Sequence, residues 1–224
     1  MIEISNEETE KESFVPDESE QELINAITEK GEDGLAEFFM QNRDRLHRMI
    51  SMRLDRRLTQ RVDASDVLQE GFVDAAKRLN EYIEKPPMPL FVWLRFLIGQ
   101  KLAAVHRWHF NAQKRDPRKE DTAASQRMPS ADSQVIAREF SASMTSPSQA
   151  VVRAEMSEKL AGVLDTLESM DREILVMRHF EELSNNEAAA ELGITKGTAS
   201  KRYVRALAKL NKAMAADSNV IPEV

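Results

Sequence analysis

The chain has 224 residues, with 38 acidic against 31 basic groups and a formal charge of −7. Hydrophobic residues make up 42% and charged residues 31%, the balance of a soluble globular chain rather than a wholly disordered one. Cysteine is absent, which excludes disulfides, thiolate metal sites and a cysteine nucleophile. No apolar run approaches the roughly 20 residues of a membrane span, and the acidic start is not expected to act as a signal peptide, so a cytoplasmic setting is expected.

In chain order, residues 1–22 are acidic and poor in apolar groups, with Pro16, and read as a disordered extension. Helical periodicity begins near Leu23 and is clear in Leu35, Phe38, Phe39, Leu46, Met49, Ile50 and Leu54, spaced by threes and fours. Asp63-Ala-Ser65-Asp66 offers N-caps for a second helix, which carries Val67, Leu68, Phe72, Val73, Ala76, Leu79 and Tyr82 on one face. Pro86, Pro87 and Pro89 end it. Another helix then runs from near Leu90 to about Phe110, with Phe91, Trp93, Leu94, Leu97, Ile98, Leu102 and Val105 as its apolar set.

From Asn111 to about Ser148 the periodicity fails, and Pro117, Pro129 and Pro147 interrupt a stretch rich in Ser, Ala, Asp and Gln. It reads as a flexible linker with at most a transient helix near Val135 to Phe140. So long a structureless stretch argues for two small domains. The expected layout is all-α: a helical domain over 23–115, a linker over 116–150, a second domain over 151–216 and a short tail over 217–224. No period-two alternation or hairpin turn signals a strand.

In the second domain, Leu160, Val163, Leu164 and Leu167 form one helical stripe and Met170, Ile174, Leu175, Met177 and Phe180 another, with Asp171 and Glu173 near the start of the latter. Ser184-Asn-Asn-Glu187 has capping-box spacing. Ala188, Ala189 and Leu192 follow, then Gly193, suited to a left-handed helix end, and Thr195 as cap of a helix from Lys196 to about Ala215. A capped short helix, a glycine turn and a capped basic helix have the form of a helix-turn-helix. Ala189 and Ala199 supply the small residues its tight crossing requires. Lys196, Thr198, Ser200, Lys201, Arg202 and Arg205 are its candidate readers of phosphates and base edges.

The charge is unevenly spread. Residues 1–33 hold twelve acids against Lys11 and Lys30, a net −10, and the other 191 residues carry 29 basic and 26 acidic groups, a net +3. Basic residues gather in three places: Arg43 to Arg61; Arg95 to Lys119, with His106, Trp108 and His109 interleaved; and Lys196 to Lys212, which contains no acid. Such stripes are the footprint expected of a phosphate-backbone reader. Each is also compatible with a solvated helix face.

Leu167-Glu-Ser-Met-Asp-Arg-Glu-Ile-Leu-Val-Met-Arg-His-Phe-Glu-Glu-Leu-Ser184 with the motif after it resembles the fourth conserved region of bacterial RNA polymerase sigma factors. Asp63-Ala-Ser-Asp-Val-Leu-Gln-Glu-Gly-Phe72 is similar to the core-binding stretch of the second region, and Phe91-Val-Trp-Leu94 through His106-Arg-Trp-His109 to its promoter-melting helix. This order, with a variable linker and no third domain, resembles the extracytoplasmic-function subgroup. Two departures stand out: alanine occupies position 104, near which the family commonly has an acid, and Val92 alone separates Phe91 from Trp93.

The resemblance implies a transcription initiation factor that binds core RNA polymerase through Asp66, Gln69, Glu70 and Phe72. It implies that Arg95, Lys101, His106, Arg107, Trp108, His109, Lys114 and Arg115 meet the melted promoter strand. The helix-turn-helix residues would then read an upstream promoter element. An anti-sigma partner is typical of the family. A stand-alone helix-turn-helix regulator is the alternative, and a helical adaptor that binds only protein a third reading. His106 and His109 have H-x-x-H spacing but lack a good third ligand nearby, so a DNA-facing pair is expected rather than a metal site. No catalytic constellation and no cofactor motif stand out, so no enzymatic activity and no cofactor are expected.

Overall fold

The computed structural model describes residues 14–113, 128–144 and 149–217. Among these the chain is all-α, with nine helices and no strand: α1 Glu18–Lys30, α2 Glu32–Arg53, α3 Ala64–Glu84, α4 Leu90–Gln113, α5 Ser133–Met144, α6 Ala150–Thr166, α7 Ser169–His179, α8 Asn185–Leu192 and α9 Lys196–Asp217. Helix α1 begins within the stretch expected to be disordered, because Asp17 caps it by accepting the Glu20 amide at 3.0 Å. Ile24 and Ile27 then bury its inner face. Residues 1–13 of that extension lie outside the described residues.

The first half is built on α3 and α4. Asp63 caps α3 as its sequence suggests, accepting the Ser65 amide at 2.8 Å. The two helices cross closely at Gly71, where an added Cβ would stand 2.5 Å from Ile98 Cγ1. At the other end of α3, Tyr82 stacks obliquely on Trp93, ring centroids 4.6 Å apart. Tyr82 and the Leu90 amide both donate to Glu20, so α1 fastens the start of α4.

Residues 133–144, where a transient helix near Val135 to Phe140 was expected within a flexible linker, form a packed helix. Asp132 caps α5 by accepting the Gln134 amide, and Ile136, Ala137 and Phe140 are buried in one apolar cluster with Leu160, Leu164 and Leu175. Val135, Ile136 and Phe140 give it an amphipathic face, but a helix of 12 residues is marginal alone, and the partners that bury that face are distant in sequence. Phe140 also stacks on His179 with centroids 4.6 Å apart. The rest of the expected linker, over 116–127 and 145–148, lies outside the described residues.

The two halves share a core. Met49, Ile50, Phe91 and Ile98 of the first half pack in one cluster with Ile174, Met177, Leu183, Ala188, Ala189 and Ala199 of the second. Beside it runs a buried ionic junction. Glu181, in the turn after α7, takes Arg53 at 2.5 Å and Arg95 at 2.7 Å. Arg53 also pairs with Glu173 and Arg95 with Glu191. At the rim, Arg45 donates to the Glu181 and Glu182 carbonyls and lies over the Phe91 ring, while Arg48 pairs with Glu182 at 2.6 Å. Four arginines of the first half thus face five glutamates of the second, counting the longer Arg45–Glu187 pair at 3.9 Å.

Candidate polymerase and nucleic-acid interfaces

Along α3 the period of the helix divides residues cleanly. Ala64, Val67, Leu68, Gly71 and Ala75 face the core, so Asp66, Gln69 and Glu70 are carried to the exposed side on adjoining turns. Val73, 45% exposed, extends this stripe by one turn. Phe72 departs from it: half-buried, it packs on Phe39 with ring centroids 4.8 Å apart. The acceptor groups and the aromatic expected to act together are therefore turned to different sides of α3.

Helix α4 changes character along its length. Its first turns hold Phe91, Val92, Trp93 and Leu94 in the core. Arg95, expected to meet DNA, is fully buried against Glu181 and Glu191. Burial alone would lower its pKa, but those carboxylates outweigh it and keep the guanidinium charged. Arg95 does not face solvent in this arrangement, because the turn after α7 covers it. Lys101 is partly exposed and pairs with Asp74 at 2.8 Å.

The last described turns of α4 bring His106, Arg107, Trp108 and His109 together. Trp108 is 71% exposed and meets His109 edge to face, centroids 4.5 Å apart. His106 is half-buried, with its Nε2 3.4 Å from the Asp55 amide nitrogen. Burial pushes its pKa below the ordinary histidine value, opposed by Asp55 and reinforced by His109 and Arg57. Lys114 and Arg115 lie outside the described residues.

In the helix-turn-helix the local signals in the sequence have their expected counterparts. Glu187 donates its amide to Ser184 Oγ at 3.1 Å, and its carboxylate accepts the Ser184 amide at 2.6 Å. Gly193 is left-handed at φ 62°, ψ 36°, which places its amide on the Ala189 and Ala190 carbonyls. Thr195 accepts the Thr198 amide at 3.2 Å, and Asn185 donates to the Lys196 carbonyl at 2.9 Å, tying α8 to the start of α9. Ala188, Ala189 and Ala199 are buried at the crossing. Lys196, Thr198, Ser200 and Lys201 are exposed on the outer face of α9.

Arg202 and Arg205 have a further attachment that the sequence did not suggest. Both donate to the buried carboxylate of Asp171, Arg202 at 2.7 Å and Arg205 at 2.8–3.0 Å, and Arg202 also reaches Glu168 at 3.1 Å. Burial would raise the Asp171 pKa, but the hydrogen bonds and charge from Arg205 and Arg202 hold it below the usual carboxylate range. These arginines fasten α9 to the first turn of α7. Asp171 read from sequence as a helix-dipole acid; nothing local marks it as the anchor of residues more than 30 positions later.

Comparison with known proteins agrees with this geometry. Residues 163–212 match the family model "Sigma-70, region 4", which spans the end of α6 through most of α9. The RNA polymerase sigma-E factor of Streptomyces coelicolor is 40% identical over 57 residues, 25% of this chain and 32% of that protein. The sigma-E factor of Streptomyces avermitilis is likewise 40% identical over 53 residues. The aligned stretch thus spans about a third of the length of these two relatives. The RNA polymerase sigma factor CnrH of Cupriavidus metallidurans is 29% identical over 163 residues, covering 70% of this chain and 75% of that protein. The solved structure of CnrH in complex with the cytosolic domain of CnrY superposes with a TM-score of 0.51 at 20% identity, over 89% of this chain and 99% of that one, a likeness of fold. Residues 163–212 thus carry a sigma-70 region 4, and over most of its length the chain is similar to a bacterial RNA polymerase sigma factor and shares its all-α fold.

Proposed function

We propose that the chain is a transcription initiation factor that binds core RNA polymerase, directs it to particular promoters and assists opening of the duplex. The observation that carries this reading is the capped helix-turn-helix of α8 and α9, inside the region-4 match, joined in one chain to the exposed Asp66, Gln69 and Glu70 stripe of α3. A stand-alone regulator has no use for that stripe. In the proposal its acceptors meet basic side chains of the polymerase, while Phe72 supports the helix from within. His106, Arg107, Trp108 and His109 meet the melted strand, with Lys101 at the edge; Arg95 joins them only if the halves separate. Lys196, Thr198, Ser200 and Lys201 read the upstream duplex, and Arg202 and Arg205 position α9 as well as facing DNA.

The division into units over 23–115 and 151–216 belongs to the same proposal. Bond making lies with the polymerase, and this chain supplies recognition, not catalysis. Among the described residues no helix is long and apolar enough to cross a membrane. The proposed place of action is the cytoplasm, with the polymerase. An anti-sigma protein is the proposed regulatory partner, a reading supported by the complex in which the structure of CnrH was solved, with the cytosolic domain of CnrY.

The test is reconstitution of the full chain with core polymerase and mapping of transcripts from genomic templates. Discrete start sites that require the chain are the expected result. Duplex binding without polymerase association would instead leave the stand-alone regulator.

A further inference from the structure

Just before it enters α5, the chain touches both halves. At residue 99 helix α4 carries a glycine, and the Met128 side chain lies directly on it: a Cβ built there would collide with Met128 Cε and stand 3.4 Å from its Cγ. Met128 is half-buried in this seat and packs against the cluster that the two halves share. Four residues on, the Asp132 amide donates to the Met52 carbonyl at 2.9 Å. That carbonyl lies in the last turn of α2, where the helix has no amide of its own to offer it. Met128 and Asp132 thus attach the segment to α4 and α2.

The residues between and after them attach it to the second half. The Ala131 amide donates to Glu173 Oε1 at 2.7 Å, while Oε2 of the same carboxylate takes Arg53 at 2.5 Å. Ser133 accepts Arg172 of α7 at 3.2 Å, and Ile136, Ala137 and Phe140 bury the inner face of α5 against Leu160, Leu164 and Leu175. The segment therefore crosses the seam beside the ionic junction that covers Arg95. Its hold on the first half is one methionine in a glycine seat and one backbone hydrogen bond. A contact of that size opens and re-forms locally without unfolding the helix behind it.

We propose that residues 128–132 are a clasp that keeps the two halves closed, and that its release is the step that uncovers Arg95 and frees the halves to take separate positions on a partner. The inference rests on the proposed function, in which Arg95 acts only in an open chain, and adds the element that controls opening. A chain competent only when open binds with an apparent affinity reduced by its closed fraction, so the clasp sets how much of the free chain is available.

The chain has no cysteine, so a disulfide can be placed across the clasp without competing thiols. A cysteine sulfur at position 128 would take the place of Met128 Cγ, 3.4 Å from a Cβ at position 99, close to the reach of a disulfide. The experiment compares Gly99→Cys/Met128→Cys, oxidised and reduced, with the wild type and Met128→Ser; the single cysteine variants control for oxidation itself. One readout is the rate at which phenylglyoxal modifies Arg95 in the free full chain, measured by mass spectrometry against the exposed Arg56. The other is promoter-dependent initiation with core polymerase. Oxidation should slow Arg95 modification about tenfold and lower initiation by a similar factor, with reductant restoring both, and Met128→Ser should speed the modification about threefold. Equal Arg95 rates in the oxidised and reduced pair, an Arg95 no more reactive in Met128→Ser than in the wild type, or initiation indifferent to oxidation would each overturn the proposal. A wild type that fails to initiate would instead remove the proposed function, and the Arg95 rates would still decide the clasp.

Discussion

Arg95 and Glu181 are 86 residues apart in the chain, yet the arginine Nε donates to the carboxylate at 2.7 Å with both side chains out of contact with water. The same carboxylate takes Arg53 through its other oxygen. Removing charge from one member of such a buried group leaves the others desolvated and under-compensated, at a cost of about 3–5 kcal/mol. Glu181→Gln, nearly isosteric, should therefore lower the unfolding free energy by about that amount. Urea denaturation followed by tryptophan fluorescence would measure it, and a loss of less than about 1 kcal/mol would mean that water reaches the junction and screens it.

Stability and DNA binding should separate along α9. Lys196→Ala and Lys201→Ala alter exposed side chains, and each should leave stability within about 0.5 kcal/mol while reducing the salt dependence of DNA affinity. Arg202→Ala removes a hydrogen bond to a buried carboxylate and should lower the melting temperature, which the two lysine variants should not. Binding assays on the Arg202 variant need a melting curve beside them. An unchanged melting temperature for Arg202→Ala would show that Asp171 is satisfied by Arg205 alone.

Acid should act on the two anchors together. The carboxyls of Asp171 and Glu181 are both held below their ordinary values: burial pushes each up, and the facing arginines more than reverse it. A depressed carboxylate stabilises the fold fully above its unfolded pKa, and that contribution disappears as pH falls through the folded value. Stability should hold from neutrality down to about pH 4 and fall steadily below it. Urea midpoints across that range are the measurement, and the curve for Asp171→Asn should be flatter than that of the wild type on the acid side.

The crossing of α3 and α4 admits a volume test. Gly71→Ala would place a methyl 2.5 Å from Ile98 Cγ1 and 3.1 Å from Ile98 Cα, so backbone as well as side chain must yield. Overpacking of this kind costs about 1–3 kcal/mol. In an Ile98→Ala background the cost should shrink, and a double-mutant cycle would give the coupling. Strict additivity would place the relaxation elsewhere along the helices.

What was legible in the sequence was local. Asp63 as a cap, the Ser184–Glu187 box, left-handed Gly193 and the exposed face of Asp66, Gln69 and Glu70 each depend on residues within a turn or two, and each appears as read. Helix α5 was legible only as a transient helix near Val135 to Phe140, because the Leu160 and Leu164 side chains that bury its apolar face come from a distant helix. The basic clusters were visible as charge but not by destination. Arg53 and Arg95 look like surface cations until Glu181 is brought to them, and Arg202 and Arg205 look like free DNA contacts until Asp171 is placed beneath them. Long-range ion pairs leave no periodicity to detect.

The junction at Glu181 also sets terms for anything that would part the two halves. Separation exposes guanidinium groups of Arg45, Arg48, Arg53 and Arg95 on one side and a set of carboxylates on the other, each losing its counter-charges at once. A partner that inserts there is best received with acids toward the first half and bases toward the second, copying what it displaces. A cut between α5 and α6 would leave each fragment with an unmatched charged face, so the halves are poor candidates for separate expression.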